Sequence, residues 1–516
     1  MLTSALRCLL LLGSVAAFQN SPFPKSAVPK QFRLSSSTDT DELPRCDQAS
    51  DELGIGAWIP LASKKGLYGL GPQRIRVMNH DLVVWHTESD SKKDPHNTCE
   101  WAAQIDACTH RLAPLSQGRV NPKTNCIECP YHGWQFSETG VVKCIPQLDE
   151  SKTIESVQNN ENSNVQTFPI HSVGDLLFVF LPSSLHGEVF PQSLLPEDYY
   201  PYLAPQMESG RQVYVRDLPY SFDFLVENFM DPAHIPFAHH KLQSTRDDGI
   251  PIEMAEIKSN FTHVEVSFKD ITRKRKRDAY ASFQRPSCYH YGEYKGDSVD
   301  EETGKKSKVP ALCIWLAPVE AGKCRVFFNS PPIKLPDFLL HAGSNRFLNS
   351  DIWLHDTERE VVKRKDLALG QSAKKLANMD YIYASKSDTG VSVFRKWWKE
   401  NGLADSPAHT FSMATMELLG PKALSRREQI DPWENHVKHC ATCRKSLKNM
   451  KRGQKGLLFL AFASGILSSR MPVVGLLSAG LSLYGRNFLK KFATALEGNY
   501  ETSLLDDRSV AAIADD

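Results

Sequence analysis

The sequence lacks the charge imbalance that accompanies nucleic-acid binding. Its 516 residues include 61 basic and 60 acidic side chains, for a formal net charge of +1 at pH 7. A protein that binds a polyanion usually carries a basic excess or a basic face, so we expect no nucleic-acid partner. The run Arg273–Arg277 is basic. We interpret it as a solvated loop or strand edge, with a docking patch for an acidic redox partner as the alternative.

Cysteine is too sparse for a disulfide framework. The chain has 12 cysteines, and their uneven distribution favours metal binding or redox chemistry over structural cross-linking. Internal repeats and low-complexity tracts are also missing from the sequence. The length allows two or three domains, each with its own core.

Two apolar runs near the C-terminus, Gly456–Ser469 and Met471–Gly485, are each short for a membrane span, which needs about 20 residues. Apolar residues surround each predicted helix, and basic residues flank the pair. We therefore expect a membrane hairpin of two short helices with both basic flanks on one side. A buried helical pair in a soluble domain is the alternative.

The N-terminus has the composition of a targeting sequence. Arg7 precedes the apolar stretch Cys8–Leu12, and Val15–Ala17 supplies a small-residue cleavage pattern. The next segment, Phe18–Thr38, has basic residues, serines and prolines but no acidic residue. This order resembles the bipartite presequence of proteins delivered to secondary plastids, and it predicts a plastid membrane, thylakoid or inner envelope. A secreted protein with a disordered neck is the alternative.

The mature chain is predicted to be α+β. Short apolar runs separated by turn residues predict an all-β domain, and further strands with a long helical region predict a helix-bearing antiparallel-sheet domain. The predicted segments are a presequence at 1–40, the all-β domain at 56–185, the helix-bearing domain at 200–430, a linker with a Cys-x-x-Cys pair at 431–455, membrane-anchoring helices at 456–492 and a polar tail at 493–516.

Two short pairs of metal-binding residues lie in the all-β region. Cys108 and His110 form the first pair, and Cys129 and His132 form the second. Such a set could bind zinc or a Rieske [2Fe–2S] cluster, in which thiolates hold one iron and imidazoles the other. Zinc fingers prefer Cys-x-x-Cys loops, so the Cys-x-His pattern favours the Rieske cluster.

The residues around these pairs, HRLAPLS at His110–Ser116 and HGW at His132–Trp134, closely resemble the Rieske loops of the ring-hydroxylating oxygenase superfamily. The resemblance implies a [2Fe–2S] domain followed by a catalytic domain with mononuclear iron. Cys126 lies near the second loop, but its spacing is wrong for the motif. We interpret Cys126 and Cys144 as bystanders.

A second constellation lies in Glu227–His239. Two histidines and a carboxylate form the facial triad of non-haem Fe(II) oxygenases, which leaves positions open for dioxygen and substrate. The spacing of Asn228, Asp231, His234 and His239 resembles the iron-binding segment of the same superfamily. The resemblance implies that both histidines bind iron. It places Asn228 and Asp231 in the catalytic segment, with Asp231 as a bridge to the Rieske cluster of an adjacent subunit.

The third ligand must come from elsewhere, and we expect Asp351. On a helix, Asp351 shares a face with Phe347, Leu348 and Leu354, and a carboxylate buried there needs a cation. The resemblance supports this choice, because the family's third ligand lies on a late helix. Asp356 is the runner-up, in a more polar setting.

A pair of cysteines, Cys440 and Cys443, precedes the C-terminal apolar runs. A Cys-x-x-Cys pair alone is weak evidence. Together with the two metal motifs, it resembles the plastid branch of the superfamily that includes pheophorbide a oxygenase and a translocon-associated Rieske protein. The pair is a redox candidate that thioredoxin would regulate, and a structural or inert pair is the alternative.

The resemblance implies a ferredoxin-dependent oxygenase of a chlorophyll-derived tetrapyrrole. Electrons would pass from reduced ferredoxin to the Rieske cluster and then to Fe(II) in a neighbouring subunit of a homotrimer, with dioxygen as cosubstrate. Ring opening in chlorophyll breakdown is the first expectation. Oxidation of a tetrapyrrole side group, an oxygenase with another substrate, and a non-catalytic membrane redox sensor are the alternatives.

Overall fold

The computed structural model describes residues 55–87, 100–182, 190–200, 202–207, 210–299, 306–329, 334–369, 381–401 and 423–498. The predicted presequence and the polar tail beyond residue 498 lie outside these ranges. Within them, every strand pair of the four sheets is antiparallel. The prediction of an α+β chain with antiparallel sheets is confirmed.

The N-terminal part is built from three small sheets with strand orders β10-β11-β1-β12, β2-β3-β4-β9 and β5-β6-β7-β8. Its twelve strands are β1 (Ile55–Ser63), β2 (Gln73–Val77), β3 (His80–His86), β4 (Trp101–Ile105), β5 (Arg119–Val120), β6 (Ile127–Glu128), β7 (Gln135–Phe136), β8 (Val142–Cys144), β9 (Thr167–Phe168), β10 (Ile170–Val173), β11 (Leu176–Pro182) and β12 (Phe190–Pro191). Two short helices, α1 (Lys64–Leu67) and α2 (Ile154–Gln158), connect them.

Strand β11 links the core of the N-terminal part to that of the next domain. It is a continuous apolar run between β10 and β1, and it is buried along nearly its whole length, which indicates that both of its faces are covered. Its Phe180 belongs to the same core cluster as Trp58 and, from the next domain, Trp315 and Phe327. The two domains therefore share a hydrophobic core.

The second domain is a seven-stranded sheet of order β13-β19-β18-β17-β16-β15-β14. Its strands are β13 (Tyr214–Leu218), β14 (Glu253–Ser259), β15 (His263–Thr272), β16 (Arg275–Gln284), β17 (Cys288–Val299), β18 (Lys306–Glu320) and β19 (Lys323–Phe328). Its helices are α3 (Pro196–Tyr199), α4 (Leu203–Met207), α5 (Phe222–Phe229), α6 (Ile235–Ala238), α7 (Asp337–Asn349), α8 (Leu354–Leu369) and α9 (Thr389–Glu400).

The basic run lies at the hairpin that joins β15 to β16. Arg273 and Lys274 form the turn with positive φ angles of 50° and 62°, and Lys276 is exposed, as expected for a solvated loop. Arg277 differs, because it is buried and forms a bidentate ion pair with Asp270 on the neighbouring strand. Successive side chains of a strand point to opposite faces of the sheet, so Arg277 points inward next to the exposed Lys276.

Helix α5 is joined to α9 by ionic contacts. Arg395 of α9 donates to Asp223 Oδ2 at 2.7 Å and also pairs with Glu227. Helix α5 ends at Phe229, shortly before Pro232, which cannot donate a backbone hydrogen bond and would clash with the preceding helical turn. A 3₁₀ turn at Pro232–His234 and the short α6 follow.

The C-terminal region is a helical hairpin. The elements are α10 (Arg426–Gln429), α11 (Pro432–Asn435), a 3₁₀ turn (Val437–His439), α12 (Ala441–Leu467) and α13 (Pro472–Glu497). The two long helices pack against each other, and Ser464 Oγ lies 2.8 Å from Ser478 Oγ. The predicted pair of helices is therefore present. Among the described residues, however, none of the helices combines the length and the apolar character that a crossing of the bilayer requires.

Candidate metal centres

The first pair of predicted cluster ligands lies on the loop between β4 and β5. Cys108 N donates to Ala113 O at 2.9 Å, and Leu112 N donates back to Cys108 O at 2.8 Å. Leu112 has a positive φ of 57°. These bonds close a tight turn that contains both Cys108 and His110.

The loop between β6 and β7 repeats this pattern. Cys129 N donates to Trp134 O at 2.8 Å, and Gly133 N donates back to Cys129 O at 3.2 Å. Gly133 has a positive φ of 70°, and a Cβ atom there would lie 3.0 Å from Pro146 Cγ. Glycine relieves both constraints. Two similar loops therefore face each other across one site.

The four donors converge between the loops. The rings of His110 and His132 are 4.6 Å apart, and both Nδ1 atoms are buried without a hydrogen-bond partner among the described residues. Cys108 and Cys129 are free, buried thiols, and burial raises the pKa of Cys108 to about 11. Two unpaired imidazole nitrogens beside two thiols fit the donor set of a Rieske cluster.

Neighbouring side chains fix the first loop. Trp134 stacks on the His110 ring at 4.8 Å with an interplanar angle of 10°. Asp106 accepts hydrogen bonds from Ser116 N at 2.7 Å and from Arg74 Nε at 2.6 Å. Cys126 is differently placed, because its thiol donates to Thr124 O at 3.4 Å. These contacts hold the loop before any metal binds.

The predicted mononuclear ligands come together at a second site. His234 Nε2 lies 3.2 Å from His239 Nε2, and His239 Nε2 lies 3.2 Å from Asp351 Oδ2. The histidines follow α5, whereas Asp351 comes directly after α7. One donor atom from each residue lies within 4.8 Å of the others. A single ion could contact all three.

Hydrogen bonds orient both imidazoles toward this point. His239 Nδ1 donates to Ser350 Oγ at 2.8 Å, and Ser350 Oγ donates to Phe347 O at 2.5 Å. His234 Nδ1 donates to the main-chain oxygen of Asp231. Donation through Nδ1 leaves the Nε2 lone pair free to bind a metal. Ser350 is an orienting residue that the sequence pattern did not reveal.

Asp351 is a buried carboxylate that is only partly satisfied. Its Oδ2 accepts from Asn228 Nδ2 at 3.3 Å, whereas its Oδ1 has no partner among the described residues. Burial alone would raise its pKa, but His239 holds the pKa of Asp351 below its ordinary value. An ionised, buried oxygen without a partner needs a cation, so these residues fit an iron ion. Asp356 is exposed and lies outside the group.

The predicted bridging residue lies beside the site. The Asp231 carboxylate accepts from Ala233 N at 2.8 Å, and its Oδ2 is 3.9 Å from His234 Nδ1. Its main-chain oxygen, rather than its carboxylate, is the nearest partner of the imidazole. Burial raises the pKa of Asp231. The role of Asp231 as a bridge between subunits stays a prediction.

The triad opens on a mostly apolar cavity of about 130 Å³. Besides the triad, its walls include aromatic and aliphatic side chains from α5, α7 and the sheet, namely Phe229, Phe268, Tyr289, Tyr291, Ile314 and Phe347. Arg277 also lines it. An apolar cavity with a few convergent polar groups is the usual form of a small-molecule site.

The predicted redox pair lies elsewhere. Cys440 and Cys443 are buried, free thiols at the start of α12, and the structure adds two histidines, His341 and His436, to the pair. His436 precedes Cys440 by four residues in the sequence. His341 is 99 residues away on α7, and no sequence signal connects it to the pair.

The matched loops and the triad define a class. Residues 57–169 match the Rieske [2Fe-2S] domain, and a two-histidine, one-carboxylate site with open positions follows in the same chain. Together they describe a Rieske-type non-haem iron oxygenase with a [2Fe–2S] cluster and mononuclear iron. The Rieske prediction is confirmed.

The chain is similar to several chloroplast proteins over most of its length. Pheophorbide a oxygenase, chloroplastic, from Oryza sativa subsp. japonica is 29% identical over 77% of this chain and 74% of its own length. Protochlorophyllide-dependent translocon component 52, chloroplastic, from Arabidopsis thaliana is 25% identical over 76% and 73%. Flavonoid 8-hydroxylase 2, chloroplastic, from Ocimum basilicum is 25% identical over 84% and 82%. The resemblance to the plastid branch is thereby confirmed.

Proposed function

We propose that this chain oxidises a chlorophyll-derived tetrapyrrole at its mononuclear iron, in the manner of a pheophorbide a oxygenase. The observation that carries the proposal is the buried triad of His234, His239 and Asp351 at the wall of an apolar cavity. The similarity to pheophorbide a oxygenase over most of both chains supports the substrate class.

In this proposal each metal has its own set of side chains. Cys108, His110, Cys129 and His132 would hold the cluster, and the chemistry that a Rieske cluster would supply there is the relay of electrons from a donor such as reduced ferredoxin. The mononuclear iron supplies dioxygen activation when bound. The chain's own contribution is to orient the imidazoles, to keep Asp351 ionised, and to exclude water with apolar walls.

The proposal includes electron transfer from the cluster of one subunit to the mononuclear iron site of the next subunit in a homotrimer. Leu112 and Tyr131, beside the cluster ligands, are 75% and 60% exposed. Phe237, in the segment that carries the iron-binding histidines, is 56% exposed. Large apolar side chains at both places would be covered if the cluster loops of one subunit docked beside Asp231 of the next.

The cavity volume suggests how a macrocycle would bind. About 130 Å³ is well below the roughly 300–1,000 Å³ of pockets that enclose a drug-sized ligand. We expect one edge of the tetrapyrrole to enter beside the iron while the rest stays outside the cavity. This binding mode would select a single position on the ring for oxidation.

The test is an anaerobic titration of the purified holoenzyme with pheophorbide a, followed by turnover with ferredoxin and dioxygen. Saturable binding and release of a linear tetrapyrrole are expected. A modified product with a closed ring would instead assign the chain to side-group oxidation. Without binding or turnover of any tetrapyrrole, the proposed substrate class would be wrong.

A smaller planar substrate is the second candidate. The small cavity favours it, and flavonoid 8-hydroxylase 2 is similar over 84% of this chain. Parallel turnover assays with flavones and with tetrapyrroles separate the two. Hydroxylated flavone with no tetrapyrrole product would replace the first proposal.

We also propose that the hairpin of α12 and α13 attaches the enzyme to a plastid membrane by inserting its tip into one leaflet. Apolar side chains near the tip are largely exposed, at 70% for Phe462, 70% for Leu477 and 73% for Leu481. Basic residues lie at the opposite end, on both helices, where Lys451 and Lys490 would remain at the lipid head groups.

Flotation with vesicles of plastid lipid composition tests the attachment. The wild-type protein is expected to float, and the double variant Phe462→Glu/Leu477→Glu is expected to stay in solution with its metal content unchanged. Asp356→Ala, far along the chain on an exposed surface, serves as the matched control. Equal flotation of the double variant would rule out insertion of the tip.

A further inference from the structure

A second group of metal-binding side chains lies apart from both iron sites. It consists of His341 on α7, His436 after α11, and Cys440 and Cys443 at the start of α12. All four residues are completely buried, with 0% of their surface exposed. One donor atom of each lies within 4.8 Å of the others. Two thiols and two imidazoles are thus enclosed together in the protein interior.

The separations are those of ligands around one tetrahedral ion. His341 Nδ1 lies 3.3 Å from Cys440 Sγ and 3.5 Å from Cys443 Sγ, and His436 Nε2 lies 3.3 Å from Cys443 Sγ. In a tetrahedral zinc site, bonds of about 2.3 Å to sulfur and about 2.0–2.1 Å to nitrogen place the two ligand atoms roughly 3.6 Å apart. The observed spacing is already close to this value.

The second histidine is oriented for binding. His436 Nδ1 donates to Val215 O at 2.6 Å, and the ring stacks on Tyr214 with centroids 4.6 Å apart. This bond leaves the Nε2 lone pair directed at Cys443, as is usual for metal-bound imidazoles. The polar contacts of His341 within the described residues are with the two thiols alone, since its Nε2 has no hydrogen-bond partner.

We propose that these four residues bind a structural zinc ion. Two thiolates would balance the two positive charges of zinc, and Cys₂His₂ is a common closed tetrahedral set. The site lies outside the cavity that the triad lines, so this ion would not meet substrate. It would cross-link α7 to the base of the α12–α13 hairpin.

The link has a consequence for the catalytic domain. Helix α7 carries His341 in its first half, and the residues just past its end include Ser350, which orients His239, and Asp351. A zinc ion at His341 would therefore fix the C-terminal hairpin to the helix that ends two residues before the third iron ligand, Asp351. We expect loss of zinc to loosen the hairpin first.

Metal analysis of the full-length protein, purified without chelators, is the first test. We expect about one zinc per chain in addition to the iron of the cluster and the mononuclear site. Replacement of zinc by cobalt should give thiolate-to-cobalt charge-transfer absorption and the visible bands of a tetrahedral ion. Wild-type protein without a tightly bound metal beyond its iron would overturn the proposal.

Variants locate the ion. Cys440→Ser and His341→Ala should each lose at least nine-tenths of the zinc, whereas Cys288→Ser, which removes an equally buried thiol outside the group, should retain it. Zinc that persists in Cys440→Ser binds elsewhere, and the assignment would then be wrong. If these variants fail to fold, release of zinc from the wild type by a mercurial reagent, in step with two protected thiols, still decides the matter.

The redox hypothesis for the same cysteines gives a different result. A thioredoxin-responsive pair would form a Cys440–Cys443 disulfide in air, and alkylation after reduction would label both residues regardless of chelators. A zinc-bound pair resists both oxidation and alkylation until a chelator removes the metal. Rapid, chelator-independent disulfide formation would reject the structural site.

Discussion

Two buried groups of metal-binding side chains are assembled in the same way from different atoms. In each, closely spaced residues come from one short segment, and α7 or its end supplies a distant one. For the mononuclear site that distant residue is Asp351, and for the second group it is His341. The first group has two nitrogens and an oxygen, whereas the second has two nitrogens and two sulfurs.

The number of donors and the access to the cavity distinguish the reactive group from the structural one. The triad lines a cavity and supplies only three ligand residues, so an ion bound there would keep positions for dioxygen and substrate. The thiol-containing group is closed, with four donors and no opening to that cavity, as in structural sites. The same helix therefore serves a reactive centre at its end and a rigid one near its start.

Removal of the triad's carboxylate should have the largest effect. We expect Asp351→Ala to abolish turnover and to lose the mononuclear iron, while the cluster and the proposed zinc remain. The reason is that two imidazoles alone leave the charge of the ion uncompensated. Metal analysis with electron paramagnetic resonance of the reduced cluster measures each metal separately. Asp356→Ala, an exposed carboxylate five residues on, should behave like wild type, and full iron in Asp351→Ala would contradict the site.

Glu358 is a second buried carboxylate of this domain, and its pKa is raised, whereas that of Asp351 is lowered. Glu358 accepts hydrogen bonds from Ser221, and burial raises its pKa to about 8. Its folded-state pKa is above the unfolded value of 4.5. Its contribution to stability is therefore complete below about pH 4.5 and is lost as the pH rises through about 8.

Glu358→Gln removes this titration. As the pH rises, deprotonation of Glu358 should cost the wild type up to roughly 4 kcal/mol of stability, at about 1.4 kcal/mol per pKa unit. The variant should not show this loss. Thermal unfolding midpoints between pH 5 and 8.5 measure it, and the curve for the variant should be flatter. The exposed Glu360→Gln is the matched control. Parallel curves for Glu358→Gln and wild type would show that Glu358 does not titrate in this range.

Loss of an orienting hydrogen bond should have a smaller effect. Ser350→Ala removes the acceptor of His239 Nδ1, and outer partners of this kind typically contribute about 10- to 100-fold in metal affinity or activity. We expect iron affinity to fall within that range, measured by competition with a chelator, with zinc content unchanged. Ser392→Ala, on α9 and away from the metals, controls for loss of a hydroxyl.

The smallest effect is expected for a thiol near the cluster that does not face it. Cys126 bonds to Thr124 O, so Cys126→Ser should leave the reduced-cluster spectrum and the iron content unaltered. A shifted spectrum would show that Cys126 interacts with the cluster, and the interpretation of Cys126 as a bystander would then be wrong.

Local spacing in the sequence determined much of this protein. Each cluster loop contains its own cysteine and histidine, as Cys-x-His in the first and Cys-x-x-His in the second, and closes through bonds within six residues, as for Cys108 and Ala113. The two iron-binding histidines likewise share one segment. Short-range geometry of this kind is fixed by a few backbone angles, so motifs predicted the cluster domain and two of the three mononuclear ligands.

Only the tertiary structure decided the long-range pairings. Ser350 reaches His239 across 111 positions, and His341 reaches Cys440 across 99. Such contacts depend on how α7 packs against the sheet and against the base of the C-terminal hairpin, which no local pattern encodes. In the sequence the cysteine pair resembles a redox motif. His341 and His436 complete a four-donor group with it only in the folded chain, because separate helices are buried against each other there.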